Sequence, residues 1–362
     1  MHLNKKNNMK ILRLTTLHGF GGQEKKLINF TEKPELLTNE YVFAAIGHGG
    51  FAEQKLKERG FKVKIFNLPI AHKNLKNIFI LAKWIRNEKP DVVHTAASEA
   101  NFHGVLAAKL AGVPRIIVEE IGVPNSHSKK AQLVFRYIYK LTDKVIAVSK
   151  EVKRVLILQK EAPENKIEVL YNLVPTPKSI PKIKSEKFQW VFVSRLVPRK
   201  NTQTLIQAFS KIDPAIRGEL HIVGEGTEKV MLETLVKDLK LENEVIFHGF
   251  QPEPEKFIAQ ADVFVLPAFD EGFGIVVIEA MILKKACLCA YGGGIPEYIT
   301  DKENGWFFNP YSVDDLVAKM EYILSLDPEI IEKIGLTAHQ TASERFTIEK
   351  YVEKLEKIYS SL

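Results

Sequence analysis

Two glutamates, Glu271 and Glu279, bracket a turn and an apolar run in LPAFDEGFGIVVIEAM, residues 266–281. The segment reads as a strand end, a turn through Glu271-Gly272-Phe273-Gly274, and an apolar helix. Its glycines let backbone N–H groups approach a ligand closely, and the helix N-terminus favours an anion. A helix starting near Phe273 carries Glu279 about 9 Å along its axis at ~1.5 Å per residue, so the two carboxylates meet different parts of one elongated ligand. A lone carboxylate within IVVIEAMI is costly unless donors pair with it.

A second cluster is cationic. In VFVSRLVPRK, Arg195 ends an apolar strand and Lys200 follows five residues later, ahead of a helix beginning near Asn201. Two cations at a strand end and a helix start suit a diphosphate, because they neutralise charge that grows on a departing phosphate without a metal. Arg199, between them, is either a third cation or a solvated neighbour. A third feature, the turn LHGFGGQEKK, offers Gly19, Gly21 and Gly22 for close approach to a phosphate or sugar. It is not a G-x-G-x-x-G fingerprint, since Glu24 occupies the last position, and VGEGTEK fails as well, which disfavours a nicotinamide dehydrogenase. The histidines are scattered, without H-E-x-x-H or ligand spacing, and neither G-x-S-x-G nor a P-loop occurs; no metal is expected.

These residues need elements to hold them. Short β-branched runs (MKILRLTT, YVFAAIG, KVKIFNL, DVVHTA, RIIVEE, KVIAVS) alternate with longer amphipathic segments, as in a parallel sheet covered by helices. The alternation stops at NLVPTPKSIPKIKSEK and resumes with FQWVFVSR, ELHIVG, NEVIFHGF, ADVFVLPA, KKACLCA and GWFFN. The expected organisation is therefore α/β, with two doubly wound Rossmann-like domains facing across a cleft. The first is 1–172, a linker with Pro175, Pro177 and Pro181 spans 173–187, and the second is 188–345. Residues 1–8 read as a disordered leader, with Met9 opening the first ordered segment. In such sheets ligands sit at the carboxyl ends of the strands. The closing segment, with apolar Tyr351, Leu355 and Ile358 among charges, reads as a helix packed on a domain.

The 362 residues are long enough for about two domains. Cys287 and Cys289 are too few for a disulfide framework, and no apolar stretch is long enough to span a bilayer, so a cytoplasmic setting is expected. Charge is uneven: residues 1–175 carry 29 Lys/Arg against 16 Asp/Glu, and residues 176–362 carry 22 against 28. The positive half suits an acidic partner such as a phosphate or an anionic membrane surface. Nucleic acid is disfavoured, because stacking aromatics are interleaved with the cations only near Phe135 to Tyr139. In SKKAQLVFRYIYKLTDK, Arg136, Lys140 and Lys144 fall at helical spacing beside an apolar face, which fits an interfacial membrane helix or a helix packed on the first sheet.

A glycine-rich turn in the first half, followed by SRLVPRKN, VGEG, EGFGIVVIEAM, GGGIPEYI and NGWFF in the second, resembles the retaining glycosyltransferases of family 4, with the GT-B fold. The resemblance covers most of the chain and implies a nucleoside-diphosphate sugar, commonly a UDP-sugar, lying mainly on the second domain. It implies Arg195 and Lys200 on the diphosphate, Glu279 on the ribose, and Glu271 on a sugar hydroxyl. The backbone of Gly272, Phe273, Gly274 and Ile275 would lie near sugar and phosphate, with Gly21 and Gly22 closing from the first domain, where the acceptor binds. It further implies metal-independent hexosyl transfer to an acceptor hydroxyl with retention. The last helix, 346–362, would cross back to the first domain. Many relatives have a histidine before the glycine that ends the fifth strand. Here Ile121 precedes Gly122, and Glu120 is the candidate sugar or acceptor contact in its place.

The expected activity is a cytoplasmic transferase, peripheral on the membrane if its acceptor is lipid-linked, in the assembly of cell-surface polysaccharide or lipopolysaccharide. No cofactor is expected, the nucleotide sugar being a substrate. Other readings stay open: a sugar-nucleotide epimerase or phosphorylase of the same fold, or a nucleotide-sugar-binding protein without catalysis.

Overall fold

The computed structural model describes residues 8–19, 21–175, 180, 181, 183 and 185–361. Residues 1–7 of the expected leader, residues 176–179, 182 and 184 of the expected linker, and Leu362 lie outside the described residues. The chain divides into two units, Met1–Pro175 with Ile348–Leu362, and Thr176–Thr347.

In the first unit β1 (Lys10–Thr15), α1 (Gly22–Phe30), β2 (Glu40–Ala45), α2 (Phe51–Glu58), β3 (Lys62–Ile65), α3 (Lys76–Glu88), β4 (Val92–Ala96), α4 (Ser98–Ala111), β5 (Arg115–Glu120), α5 (Lys129–Lys140), β6 (Lys144–Ala147), α6 (Lys150–Leu158) and β7 (Ile167–Val169) alternate. In the second, β8 (Gln189–Val193), α7 (Thr202–Lys211), β9 (Glu219–Val223), α8 (Lys229–Asp238), β10 (Val245–Gly249), α9 (Glu255–Gln260), β11 (Val263–Leu266), α10 (Ile275–Ile282), β12 (Ala286–Ala290), β13 (Trp306–Phe308), α11 (Val313–Leu324) and α12 (Pro328–Arg345) follow, before α13 (Ile348–Ser360) closes the chain. The sheets are ordered β3-β2-β1-β4-β5-β6-β7 and β10-β9-β8-β11-β12-β13, and every described pair is parallel. Strands such as QWVFV and ACLCA are buried throughout, because helices cover both faces of a parallel sheet. In each sheet the winding reverses beside the first strand, between β1 and β4 and between β8 and β11, which opens a crevice at the carboxyl ends there.

Two local expectations are corrected. Lys144 opens β6 rather than extending the preceding helix, which stops at Lys140; Asp143 ends the turn by accepting the Ile116 N–H at 2.7 Å. The strand β7 was not expected, because three residues with Glu168 in the middle give no periodic signal.

The spacing of Ile348, Tyr351, Val352, Leu355, Ile358 and Tyr359 puts one apolar face on α13, and all six are buried against Ile11, Phe30, Tyr41 and Phe43 of the first unit. Beneath it lies a buried ionic network. Glu119 on β5 takes Lys26 from α1 in direct contact and Arg13 from β1 at 3.4 Å; all three side chains are at most 2% exposed. His94 on β4 lies 3.5 Å from the same carboxylate and 2.8 Å from the Tyr359 hydroxyl, which Arg13 also reaches at 3.3 Å. Burial, reinforced by the Arg13 and Lys26 charges, holds His94 well below the ordinary histidine range, and burial lowers His18 to about 4.

Both histidines are therefore neutral in the native state but take up a proton near pH 6.5 when unfolded, so the unfolded state binds more protons below that pH. Stability should fall as pH drops below about 6.5, by up to ~1.4 kcal/mol per pH unit for each histidine. His127, raised by its ion pair with Glu161, works in the opposite direction, but one raised histidine does not cancel two lowered ones. Urea midpoints at pH 7 and 5.5 check this, and equal midpoints would contradict it.

Candidate functional site

At the carboxyl edge of the second sheet two of the charged residues singled out in the sequence, Lys200 and Glu271, come into contact. From the end of β8 the chain returns to the sheet, with Ser194 N–H bonded to Val223 O at 3.1 Å and Leu196 N–H to Glu225 O at 2.9 Å. A short 3-10 turn, Pro198–Lys200, follows. It points Arg195 and Arg199 to solvent and leaves Lys200 6% exposed. The ammonium of Lys200 meets the carboxylate of Glu271, which lies in the loop after β11. The predicted diphosphate cation and the predicted sugar carboxylate thus join as an ion pair at the switch point. Glu271 keeps 17% side-chain exposure, so the pair faces outward rather than being sealed in the core.

Asn201, which no motif marks except as a helix start, clamps the two loops together. Its backbone is left-handed at φ 57, and its amide donates to Pro267 O at 3.1 Å and Pro310 O at 3.0 Å. The carbonyl of its side chain accepts from the Thr204 hydroxyl at 2.7 Å. Asparagine is among the few residues besides glycine that tolerate this conformation, and that preference was the available signal.

Beyond Glu271 the loop is shaped by close packing. Gly293 (φ 60) presses on it so tightly that an added Cβ would lie 2.0 Å from Glu271 O, and the Gly294 N–H bonds that same carbonyl at 2.9 Å. Glycine is required there on both counts. Gly274, at φ 79, turns the chain into α10, whose first turn begins with Val277 N–H on Gly274 O at 2.9 Å. The helix starts at Ile275, two residues later than expected, so Glu279 stands about 6 Å rather than 9 Å along its axis. Glu279 is 7% exposed, and Gly272, Phe273 and Gly274 are buried while Ile275 is partly exposed. Phe273 anchors the turn. Its ring packs on Tyr298 and Phe346 at centroid distances of 5.5 and 5.3 Å, and the Tyr298 hydroxyl donates to its carbonyl at 2.5 Å. Burial keeps that phenol's pKa far above the ordinary range, so it remains a neutral donor. With the Phe273 carbonyl engaged, the turn and the first amides of α10 present donors, which suits an anion.

The remaining predicted residues belong to the first unit. Gly21 caps α1 in a fully extended conformation, with the Lys25 N–H on its carbonyl at 2.8 Å, and Gly22 starts the helix at the carboxyl end of β1. Glu120 ends β5, 4% exposed, where it accepts the Tyr139 hydroxyl at 2.7 Å; burial raises its carboxyl pKa. Successive residues of a strand face opposite ways, so Glu119 enters the ionic network under α13 while Glu120 turns toward α5. His127 lies nearby, 2.9 Å from Glu161 and stacked on Phe135 at 4.8 Å. Among the described residues no group of three or more His, Cys, Asp and Glu is placed to hold a metal ion, and no helix is long and apolar enough to cross a membrane. Cys287 and Cys289 are buried free thiols on β12.

Residues 20–178 match the family described as Glycosyltransferase Family 4, and residues 175–340 match Glycosyl transferases group 1. The chain is 25% identical over 309 residues, 79% of each protein, to the UDP-Gal:alpha-D-GlcNAc-diphosphoundecaprenol alpha-1,3-galactosyltransferase of Escherichia coli. It is 32% identical over 171 residues to the N-acetyl-alpha-D-glucosaminyl L-malate synthase of Bacillus anthracis, covering 47% of this chain and 44% of that one. Among solved structures, Anabaena Alr3699/HepE in complex with UDP and glucose superposes with a TM-score of 0.86 at 23% identity, over 98% of this chain and 100% of that one.

Proposed function

The chain belongs to the family 4, group 1 glycosyltransferases, which have the GT-B fold, and from that membership we propose a metal-independent, retaining hexosyltransferase using a UDP-sugar. The observation that carries this reading is the Lys200–Glu271 pair at the switch point of the second sheet. A diphosphate arriving there would draw Lys200 and the solvent-facing Arg195 onto its oxygens, releasing Glu271 to accept a hydrogen bond from a sugar hydroxyl. Donors at Gly272 to Ile275 would face the sugar and phosphate, and Glu279 the ribose hydroxyls. The acceptor hydroxyl attacks the anomeric carbon on the face from which the diphosphate departs. A phosphate oxygen takes the acceptor's proton, and Lys200 with Arg195 stabilises the charge that develops on the leaving group. Glu120, held by Tyr139, is assigned to the sugar or acceptor side.

The Escherichia coli relative, by its name, acts on a lipid-linked sugar. Together with the cationic first half this supports a saccharide or lipid-linked acceptor, work in cell-surface polysaccharide or lipopolysaccharide assembly, and a cytoplasmic enzyme peripheral on the membrane. Thermal shifts with UDP, GDP, ADP and NAD, each with and without EDTA, test the donor site. UDP at about 100 times its dissociation constant adds roughly 2.7 kcal/mol, a shift of several degrees, and EDTA should leave it unchanged. No response to any nucleotide would overturn the assignment. Product formation only when acceptor is present separates transfer from epimerisation, and independence of inorganic phosphate separates it from phosphorolysis.

A further inference from the structure

Two stretches of the first unit hold cations and no carboxylate. Residues 66–86 contain Lys73, Lys76, Lys83 and Arg86, and residues 121–141 contain Lys129, Lys130, Arg136 and Lys140. Each stretch includes a helix whose outward face is apolar. On α3, Lys76, Phe79, Ile80 and Lys83 recur at i, i+3, i+4 and i+7, which is one helix face. All four are exposed, Phe79 by 66% and Ile80 by 43%, while Leu81, Ala82 and Ile85 are buried on the inner side. On α5, Leu133, Val134 and Tyr137 are exposed by 61%, 42% and 58%, over buried Phe135, Ile138 and Tyr139. Both helices pack on α4. His72, just ahead of α3, meets Phe135 of α5 edge to face at 6.1 Å, so the start of α3 lies beside α5 on the same side of α4.

Large apolar side chains left in water side by side mark an interaction surface, and their surroundings indicate the partner. Arg136 is engaged, donating to Lys160 O at 2.7 Å. The cations left around the apolar residues are mainly lysines, which are depleted from protein–protein interfaces. Lysines flanking aromatic and aliphatic residues suit an anionic bilayer, where the apolar groups enter the headgroup boundary and the ammonium groups meet lipid charge.

We propose that the outward faces of α3 and α5 form a docking surface for an anionic lipid bilayer, with Phe79, Ile80, Leu133 and Tyr137 entering it and Lys76, Lys83, Lys129 and Lys130 flanking them. This places the membrane contact of the proposed function on particular residues and does not depend on the donor chemistry. The full chain should float with phosphatidylcholine vesicles containing about 30% phosphatidylglycerol at low salt, and not with phosphatidylcholine alone. Each lysine near such a surface is worth about fivefold in affinity, so K76E/K83E should weaken retention by at least roughly 25-fold. F79S/I80S should weaken it by about tenfold or more. Both variants alter exposed positions and should keep the wild-type melting temperature and UDP response, which separates failure here from failure of the donor site. Absence of wild-type retention on phosphatidylglycerol vesicles, or retention unchanged in both variants, would overturn the proposal. So would a lipid-free wild-type dimer that F79S/I80S converts to monomer, since the face would then join two copies of this chain.

Discussion

Lys200→Ala is expected to lower sugar transfer by about 10²- to 10³-fold, the usual loss when one preorganised donor to a developing negative charge is removed. The effect should appear mainly in kcat, because the leaving diphosphate carries more charge in the transition state than in the bound donor. The structure adds a second consequence. Glu271 loses its ion-pair partner in this variant, and one-sided removal from a fully enclosed pair costs ~3–5 kcal/mol. Here 17% of the Glu271 side chain stays exposed, so solvent screens the orphaned carboxylate and a smaller cost, about 1–2 kcal/mol, is expected. Glu271→Ala should restore part of that stability in the double variant, while the two activity losses should combine to less than their product, as for groups acting in one unit. A folded Lys200→Ala protein with transfer within threefold of wild type would remove Lys200 from the proposed chemistry. So would full additivity of the two substitutions in both stability and rate, because it would mean the pair seen in the structure is not an interaction.

The largest effect on folding is expected at Glu119, outside the proposed donor site. Its carboxylate faces two buried cations, Arg13 and Lys26, and lies under α13. Glu119→Gln keeps the shape but leaves buried Arg13 without its counter-charge, at a cost of about 3–5 kcal/mol, and removes the carboxylate that favours the charged form of Lys26 against burial and the Arg13 charge. For a unit of this size that lowers the melting temperature by roughly 6–20 °C. Replacing the whole set, as in R13M/K26M/E119L, should recover most of the loss, since well-packed apolar groups need no desolvation of charge. The UDP response of the second unit should persist in both variants below their melting temperatures. Circular dichroism melts of the single and triple variants decide the matter: equal melting temperatures for wild type and Glu119→Gln would show that the cluster contributes nothing net.

How far the sequence reached is clear from the same residues. The alternation of β-branched runs with amphipathic segments implied two parallel sheets, because side-chain periodicity is a local property that survives in any tertiary arrangement. The spacing of SRLVPRK and EGFGIVVIEAM likewise marked Arg195, Lys200, Glu271 and Glu279, since a strand end followed by a helix start confines such residues to one edge of a sheet. Burial was not legible in this way. That Lys200 turns inward to Glu271 while Arg195 stays in solvent depends on a 3-10 turn and on the Asn201 clamp to Pro267 and Pro310, contacts made across 66 and 109 residues of chain. Adjacent Glu119 and Glu120 were indistinguishable as letters, yet β5 sends one to Arg13 and Lys26 and the other to Tyr139. The sequence marked α5 as basic and amphipathic, but α3 reads as an ordinary amphipathic helix, and only packing shows Phe79 and Ile80 on the exposed side. Local pattern therefore determined which elements form and which residues stand at their ends. The packing of distant segments decided which charges are paired, which are left to solvent, and which apolar face remains open, because those outcomes depend on neighbours that are remote in the chain.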